Sequence, residues 1–175
     1  PTPRTLDGTR LPAYAYRPLT EASFALNLAL TGDSPLGLRL GNLLLHLLST
    51  LLVFRLARRL GAPAGWVAAV FALHPLGVLA VTYLTQRSTA LETLFLFLTL
   101  SFYLDGRCRA AWFSALLAAL SKETAASLPV VLLTLEWVDR RPGFPRRWLP
   151  FLAIPLLVGF QMLRVRHAQL GLFGR

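Results

Sequence analysis

One lysine stands among eighteen basic residues, and a glutamate follows it at once. Lys122-Glu123 lies between two short apolar runs, 110–120 and 125–138. A charge at membrane depth costs about 2.5–3.5 kcal/mol on insertion scales, so each one wants a reason. Two readings stand side by side: a capping turn or local ion pair at the membrane interface, or a cation and an acid lining a polar cavity. Arg17 and Arg87 suit an anionic ligand, because guanidinium makes permanently charged, bidentate contacts to phosphate. Each taken alone also reads as an arginine snorkelling to lipid headgroups. Arg39, Asn42, His46 and Ser49 recur at spacings of three and four and so share one helical face. That face serves either as polar glue between helices or as a ligand-facing stripe. Ser88, Glu92 and Thr99 form a second stripe, in which Glu92 wants a partner from Arg87, Lys122 or His74. His46 and His74 as a metal pair lack the further ligands that zinc requires. Cys108 is alone, so it supports neither an internal disulfide nor a cysteine metal site.

These residues need long apolar elements to hold them. The 175 residues are 55% hydrophobic and 15% charged, with a mean hydropathy of +0.55. An ordinary soluble domain carries roughly 25% charged residues, so the bilayer is the expected solvent and partner. The pattern predicts an all-α, polytopic transmembrane helix bundle of about six membrane segments. They run over roughly 36–58, 64–84, 88–104, 110–120, 125–138 and 148–163, the fourth and fifth forming a short hairpin that is partly re-entrant. Residues 1–35 read as an extracytoplasmic or interfacial segment broken by prolines, with one short surface helix over 21–30. Residues 36–163 make the bundle, and 164–175 begin the next extracytoplasmic loop. Pro75, Pro129 and Pro155 kink or end helices, and freed carbonyls at such breaks must be satisfied by protein or trapped water.

Loop charges orient the bundle. Alternating segments place Arg55, Arg58, Arg59, Arg107, Arg109, Arg140, Arg141, Arg146 and Arg147 on one side, nine arginines against Arg87 and Lys122 on the other. The positive-inside rule makes the arginine-rich side cytoplasmic. The net charge of +10 thus serves topology and excludes a nucleic-acid partner, since the arginines fall in short loops and not on one soluble face. Seventeen of the eighteen basic residues are arginine, a bias typical of a GC-rich bacterial genome. A start at Pro1 and a stop at Gly174-Arg175 just past a span fit a segment of a longer polypeptide.

The order of several short strings is more specific. Tyr16-Arg17-Pro18-Leu19-Thr20, Ser23-Phe24 with Asn27, Gly32, and Asn42 with His46 come first. Phe71-Ala72-Leu73-His74-Pro75, Ala80-Val81-Thr82-Tyr83-Leu84, Gln86-Arg87-Ser88, and Leu120-Ser121-Lys122-Glu123-Thr124-Ala125 before Leu128-Pro129 follow. Over most of 14–138 the chain resembles the transmembrane-and-tetratricopeptide-repeat O-mannosyltransferase family and its bacterial relatives. The resemblance implies a GT-C membrane fold that moves a sugar, mannose or similar, from a polyprenyl-phosphate donor to a protein Ser/Thr hydroxyl on the non-cytoplasmic face. For a bacterial relative that face is the periplasmic side of the inner membrane, with the donor lipid and an acceptor protein as partners.

Motif by motif the resemblance covers Arg17, His74, Arg87, Lys122 and Glu123; the expectation is that Arg17, Arg87 and Lys122 bind the donor phosphate and that His46, His74, Glu92 (from its stripe), Glu123 and Asn42 line or orient the cavity. The family's acidic residues, which serve as catalytic base or hold a divalent metal, lie upstream of Tyr-Arg-Pro-Leu. Asp7 sits too close to that motif to be one of them, and the tetratricopeptide repeats would lie downstream. The catalytic base is therefore unknown, no cofactor is called for by the residues present, and the segment alone is expected to be inactive. The rival readings are a non-enzymatic membrane scaffold that presents repeats to partners, and a flippase for lipid-linked sugars. A flippase predicts internal duplication, which the sequence lacks.

Overall fold

The computed structural model describes residues 17–139 and 147–173, and every described regular element is helical. Residues 1–16, with Asp7 and Tyr16, and residues 140–146 of the third arginine-rich loop lie outside the described residues. Helix α1 is Pro18–Thr31, α2 Pro35–Arg59, α3 Ala64–Leu73 and α4 Pro75–Thr82. After a 3₁₀ turn at Leu84–Gln86 come α5, Arg87–Leu104, and α6, Cys108–Ser121. A second 3₁₀ turn, Glu123–Ser127, leads into α7, Leu128–Asp139; a third, Leu149–Leu152, leads into α8, Ala153–Phe173.

Local chemistry sets these bounds. Prolines occupy the first turn of α1, α2 and α4, where their missing N–H is one of the orphans anyway. Ser34 Oγ accepts from Gly37 N at 3.4 Å to cap α2, and Arg58 and Arg59 face the negative end of its dipole. Gly106, at φ 74°, ends α5 in a left-handed turn that L side chains rarely adopt.

The 64–84 segment differs from the single span read from its composition: it breaks at His74-Pro75 and bends by 54°. Pro75 has no N–H to give Phe71 O, and Leu76 N turns to His74 Nδ1 at 3.2 Å instead of to Ala72 O. The 21–30 helix extends to Pro18–Thr31, and α8 continues to Phe173 through residues read as a loop. The 110–138 hairpin follows α5 from its Asp105 end to its Arg87 end and back. Lys122 meets Thr89 at one end, and Glu136 accepts from Tyr103 Oη at 2.6 Å near the other.

Helix α5 is the central element, packed on α6 and α2. Ala111, Ala115 and Ala118 on one face of α6 are fully buried, small enough to bring the backbones close. Leu128, Leu132, Phe151, Ile154 and Val158 complete the core around Tyr103. The outside is more apolar than the inside of the bundle's first half. Leu44, Leu47, Leu51, Trp66, Val70, Leu73 and Leu76 are exposed, while Asn42, Ser49, Ser88, Glu92 and Thr99 are buried. Among the described residues α2 is long and apolar enough to cross a membrane, and the bent α3–α4 pair passes the same test if taken as one span.

Candidate functional site

The first turn of α5 organises the site. Arg87, Ser88 and Thr89 are consecutive, so about 100° of helical rotation separates each side chain from the next. Each therefore meets a different partner. Arg87 Nη2 donates to Asn27 Oδ1 of α1 at 2.9 Å, and its guanidinium lies 4.8 Å from the centre of the Phe24 ring. Ser88 Oγ accepts from Arg17 Nη1 at 3.1 Å. Thr89 Oγ1 accepts from Lys122 Nζ at 2.8 Å. Thr20 Oγ1 donates to Ser121 O at 3.2 Å, pinning α1 across the end of α6.

Arg17 is neutralised where it stands. Its Nη2 and Nε donate to the two carboxylate oxygens of Glu123 at 2.7 and 3.2 Å, a bidentate pair. Burial pushes the Glu123 carboxyl up. The hydrogen bonds from Arg17 and its own backbone, with the charges of Arg17 and Lys122, outweigh that and hold it below its ordinary value. Lys122 and Arg87 make no direct ion pair among the described residues, although the charge of Lys122 acts on both Glu123 and Glu92. Arg87 is 5% exposed, and its Nε and Nη1 have no hydrogen-bond partner. A buried cation left in that state is costly, and an anion or water at those nitrogens would relieve it.

Arg17, Arg87 and Lys122 thus gather at one end of the bundle. At the other end Arg59 pairs with Asp105 and Arg55 approaches it at 3.8 Å. Glu92, 5% exposed, takes its hydrogen bond from Thr124 Oγ1 at 2.5 Å; of the three partners expected for it, Lys122 acts on it through charge alone.

The first polar stripe divides. Asn42 and Ser49 are buried, but Arg39 points outward and does not join them. Asn42 Nδ2 reaches Val81 O at 3.4 Å, while its Oδ1 has no partner. His46 stacks on Phe71 at 5.4 Å, and its Nε2 lies 3.2 Å from Ala72 O, the carbonyl freed by the break before Pro75. A carbonyl only accepts, so Nε2 carries the proton. His46 and His74 both line a cavity of about 290 Å³ between α2, α4 and α5, with Phe71, Gly77, Thr89 and Thr93.

A divalent metal does not fit these residues. His74 Nδ1 accepts from an amide, which leaves its ring no free lone pair, while His46 keeps one at Nδ1 and donates through Nε2. Among the described residues no three His, Cys, Asp or Glu side chains converge.

Sequence reasoning missed Asn27 as the partner of Arg87, Thr89 as the partner of Lys122, and Gly41. A Cβ at Gly41 would stand 2.1 Å from Asn27 Oδ1 and 3.0 Å from Arg87 Nη2. Thr89 directly follows the Gln-Arg-Ser string and Gly41 directly precedes Asn42, so adjacency was the available signal.

Three relatives share this chain's pattern. Protein O-mannosyl-transferase Tmtc1 of Drosophila melanogaster is 37% identical over 123 residues, 63% of this chain and 14% of its own length. Protein O-mannosyl-transferase F38B6.6 of Caenorhabditis elegans is 25% identical over 160 residues, 86% of this chain and 23% of its own length. Protein O-mannosyl-transferase TMTC2 of Mus musculus is 35% identical over 104 residues, 58% of this chain and 12% of its own length. The chain thus spans less than a quarter of the relatives it matches. No solved structure matches it. The profile of the dolichyl-phosphate-mannose-protein mannosyltransferases matches residues 16–163, through every helix that carries the site, and the chain belongs to that family.

Proposed function

We propose that this chain is the donor-site segment of a membrane glycosyltransferase that moves mannose, or a similar sugar, from a polyprenyl-phosphate to a protein Ser/Thr hydroxyl. The observation that carries the reading is Lys122, a cation held by a neutral hydroxyl at the end of the bundle remote from Asp105. Family membership and the relatives' names support the reaction class.

The exposed leucines of α2 and Trp66 of α3 face hydrocarbon, and six membrane segments alternate: α2, the α3–α4 pair, α5, α6, α7 and α8. The Arg55–Arg59 end then lies in the cytoplasm and the Lys122 end on the non-cytoplasmic face, periplasmic in a bacterium.

In the reaction the acceptor oxygen attacks the anomeric carbon and the bond from that carbon to the phosphate oxygen breaks. Negative charge grows on the departing phosphate. Lys122 stabilises it, and Arg87 adds a second cation through its unpartnered Nε and Nη1. Such fixed cations are worth most in a partly dry site, where no solvent need reorganise. Glu123 and Glu92 are held by Arg17 and Thr124, so neither is assigned as the base that accepts the hydroxyl proton.

The test is mannosyl transfer from labelled polyprenyl-phosphate mannose by the full-length protein and its Lys122→Ala variant at matched expression. A loss of about a hundredfold or more supports the phosphate assignment. Full activity in the variant removes Lys122 from the site. Absence of transfer by the parent from several donor sugars turns the reading to a membrane scaffold.

A further inference from the structure

In the phosphate reading above Thr89 is only the hydroxyl that Lys122 meets; its own orientation is what places the cation. Lys122 Nζ donates to Thr89 Oγ1 at 2.8 Å, and Thr89 donates in turn to Gln86 Oε1 at 2.9 Å. A hydroxyl has one hydrogen and two lone pairs. With that hydrogen committed to Gln86, Thr89 presents only lone pairs to Lys122. Gln86 and Thr89 are three residues apart at the start of α5, the spacing that places two side chains on one helical face.

The charge of the tether matters as much as its position. Arg17, fixed by Glu123, has its charge cancelled by the group that holds it. Lys122 is fixed by a neutral oxygen and makes no direct ion pair, so the tether itself cancels none of its charge. Two of its three N–H donors remain for a ligand. Thr89 also lines the cavity between α2, α4 and α5, so the residue that holds the ammonium borders that cavity. A long, flexible side chain fixed before the ligand arrives has less freedom to lose on binding.

We propose that Thr89, oriented by Gln86, is a positioning residue that holds the Lys122 ammonium, free of any direct ion pair, for a phosphate group. The proposal rests on the transferase reading and adds to it the residues that aim its cation.

The test uses the full-length protein in lipid nanodiscs, with Thr89→Val, Thr89→Ser, Gln86→Ala, Lys122→Ala and the Thr89→Val/Lys122→Ala double variant. Two quantities are read: KM and kcat for polyprenyl-phosphate mannose, and the inhibition constant of geranyl phosphate, a probe that carries the phosphate without the sugar. Thr89→Val should raise the donor KM and the inhibition constant about tenfold, the scale of one charge-assisted hydrogen bond, with the acceptor KM unchanged. Thr89→Ser, which keeps the hydroxyl, should return both to within about twofold, and Gln86→Ala should cost about two- to threefold. In the double variant the valine should add nothing to the loss from Lys122→Ala. The proposal is overturned if valine matches wild type, if serine is as poor as valine, or if the valine effect persists undiminished in the Lys122→Ala background. If Lys122→Ala itself leaves both constants unchanged, the phosphate-site reading falls and takes this proposal with it.

Discussion

Gly41 to alanine is a one-carbon change whose cost can be worked from the geometry. The new Cβ would stand 2.1 Å from Asn27 Oδ1, far inside contact distance, and 3.0 Å from Arg87 Nη2. Asn27 has to swing away, and its 2.9 Å bond to Arg87 goes with it. A hydrogen bond to a charged group is worth about 1.5–3 kcal/mol. Alanine returns about 1 kcal/mol through its better helix propensity. The net expectation is a loss of about 0.5–2 kcal/mol. In an Asn27→Ala background the obstacle and the bond are both absent, so Gly41→Ala there should be neutral or stabilising by up to about 1 kcal/mol. The assay is equilibrium unfolding in mixed micelles, followed by far-UV circular dichroism, over the four members of the double-mutant cycle. Equal costs of Gly41→Ala in the two backgrounds, or stabilisation of the wild type by it, would refute the close approach of α1, α2 and Arg87.

Three further outcomes follow from contacts elsewhere. The Glu123 carboxyl titrates below its ordinary 4.5, so its pairing with Arg17 contributes fully above that pH and is lost as pH falls through the lower folded value. Thermal unfolding in detergent should show wild type above Glu123→Gln at neutral pH and the two converging well below 4.5; a gap that stays constant on acidification counts against the pair. His46→Phe keeps the ring against Phe71 but strips Ala72 O of its donor, at a cost of about 1–3 kcal/mol, which His46→Gln should partly recover. Equal stability of His46→Phe and wild type would show that the freed carbonyl needs no partner. Cys108, at the arginine-rich end, should react with an impermeant maleimide only from the cytoplasmic side, and a Thr124→Cys, Cys108→Ser variant only from the other; labelling of both from one side defeats the alternation of segments.

Much of the site was readable as a list of residues and little of it as an arrangement. The rarity of lysine singled out Lys122, and the loop arginines put Arg17, Arg87 and Lys122 on one face; the structure gathers all three at one end. Their electrostatic states were not readable. Arg17 is spent on Glu123 because a 3₁₀ turn after α6 swings that carboxylate back over the N-terminus of α1. His46 was left between packing and ligand contact; the kink gives it a freed backbone carbonyl to bond while it also lines the cavity. Arg39 shares the spacing of the stripe but is exposed, although Gly37, two residues nearer the helix end, is buried.

Composition and periodicity by themselves determined that the chain is helical, that its helices are apolar apart from narrow polar stripes, and which of their ends the loop charges group together. Those properties follow from local backbone preference and from charge counted loop by loop, and neither needs a contact between distant residues. The tertiary structure alone decided which cation is neutralised and which is left charged. That difference rests on carboxylates and hydroxyls brought within about 3 Å across more than 30 residues of sequence, as in Arg17 with Glu123 and Lys122 with Thr89. No periodicity in the chain encodes such a meeting, because it depends on how α1, α5 and α6 pack against one another.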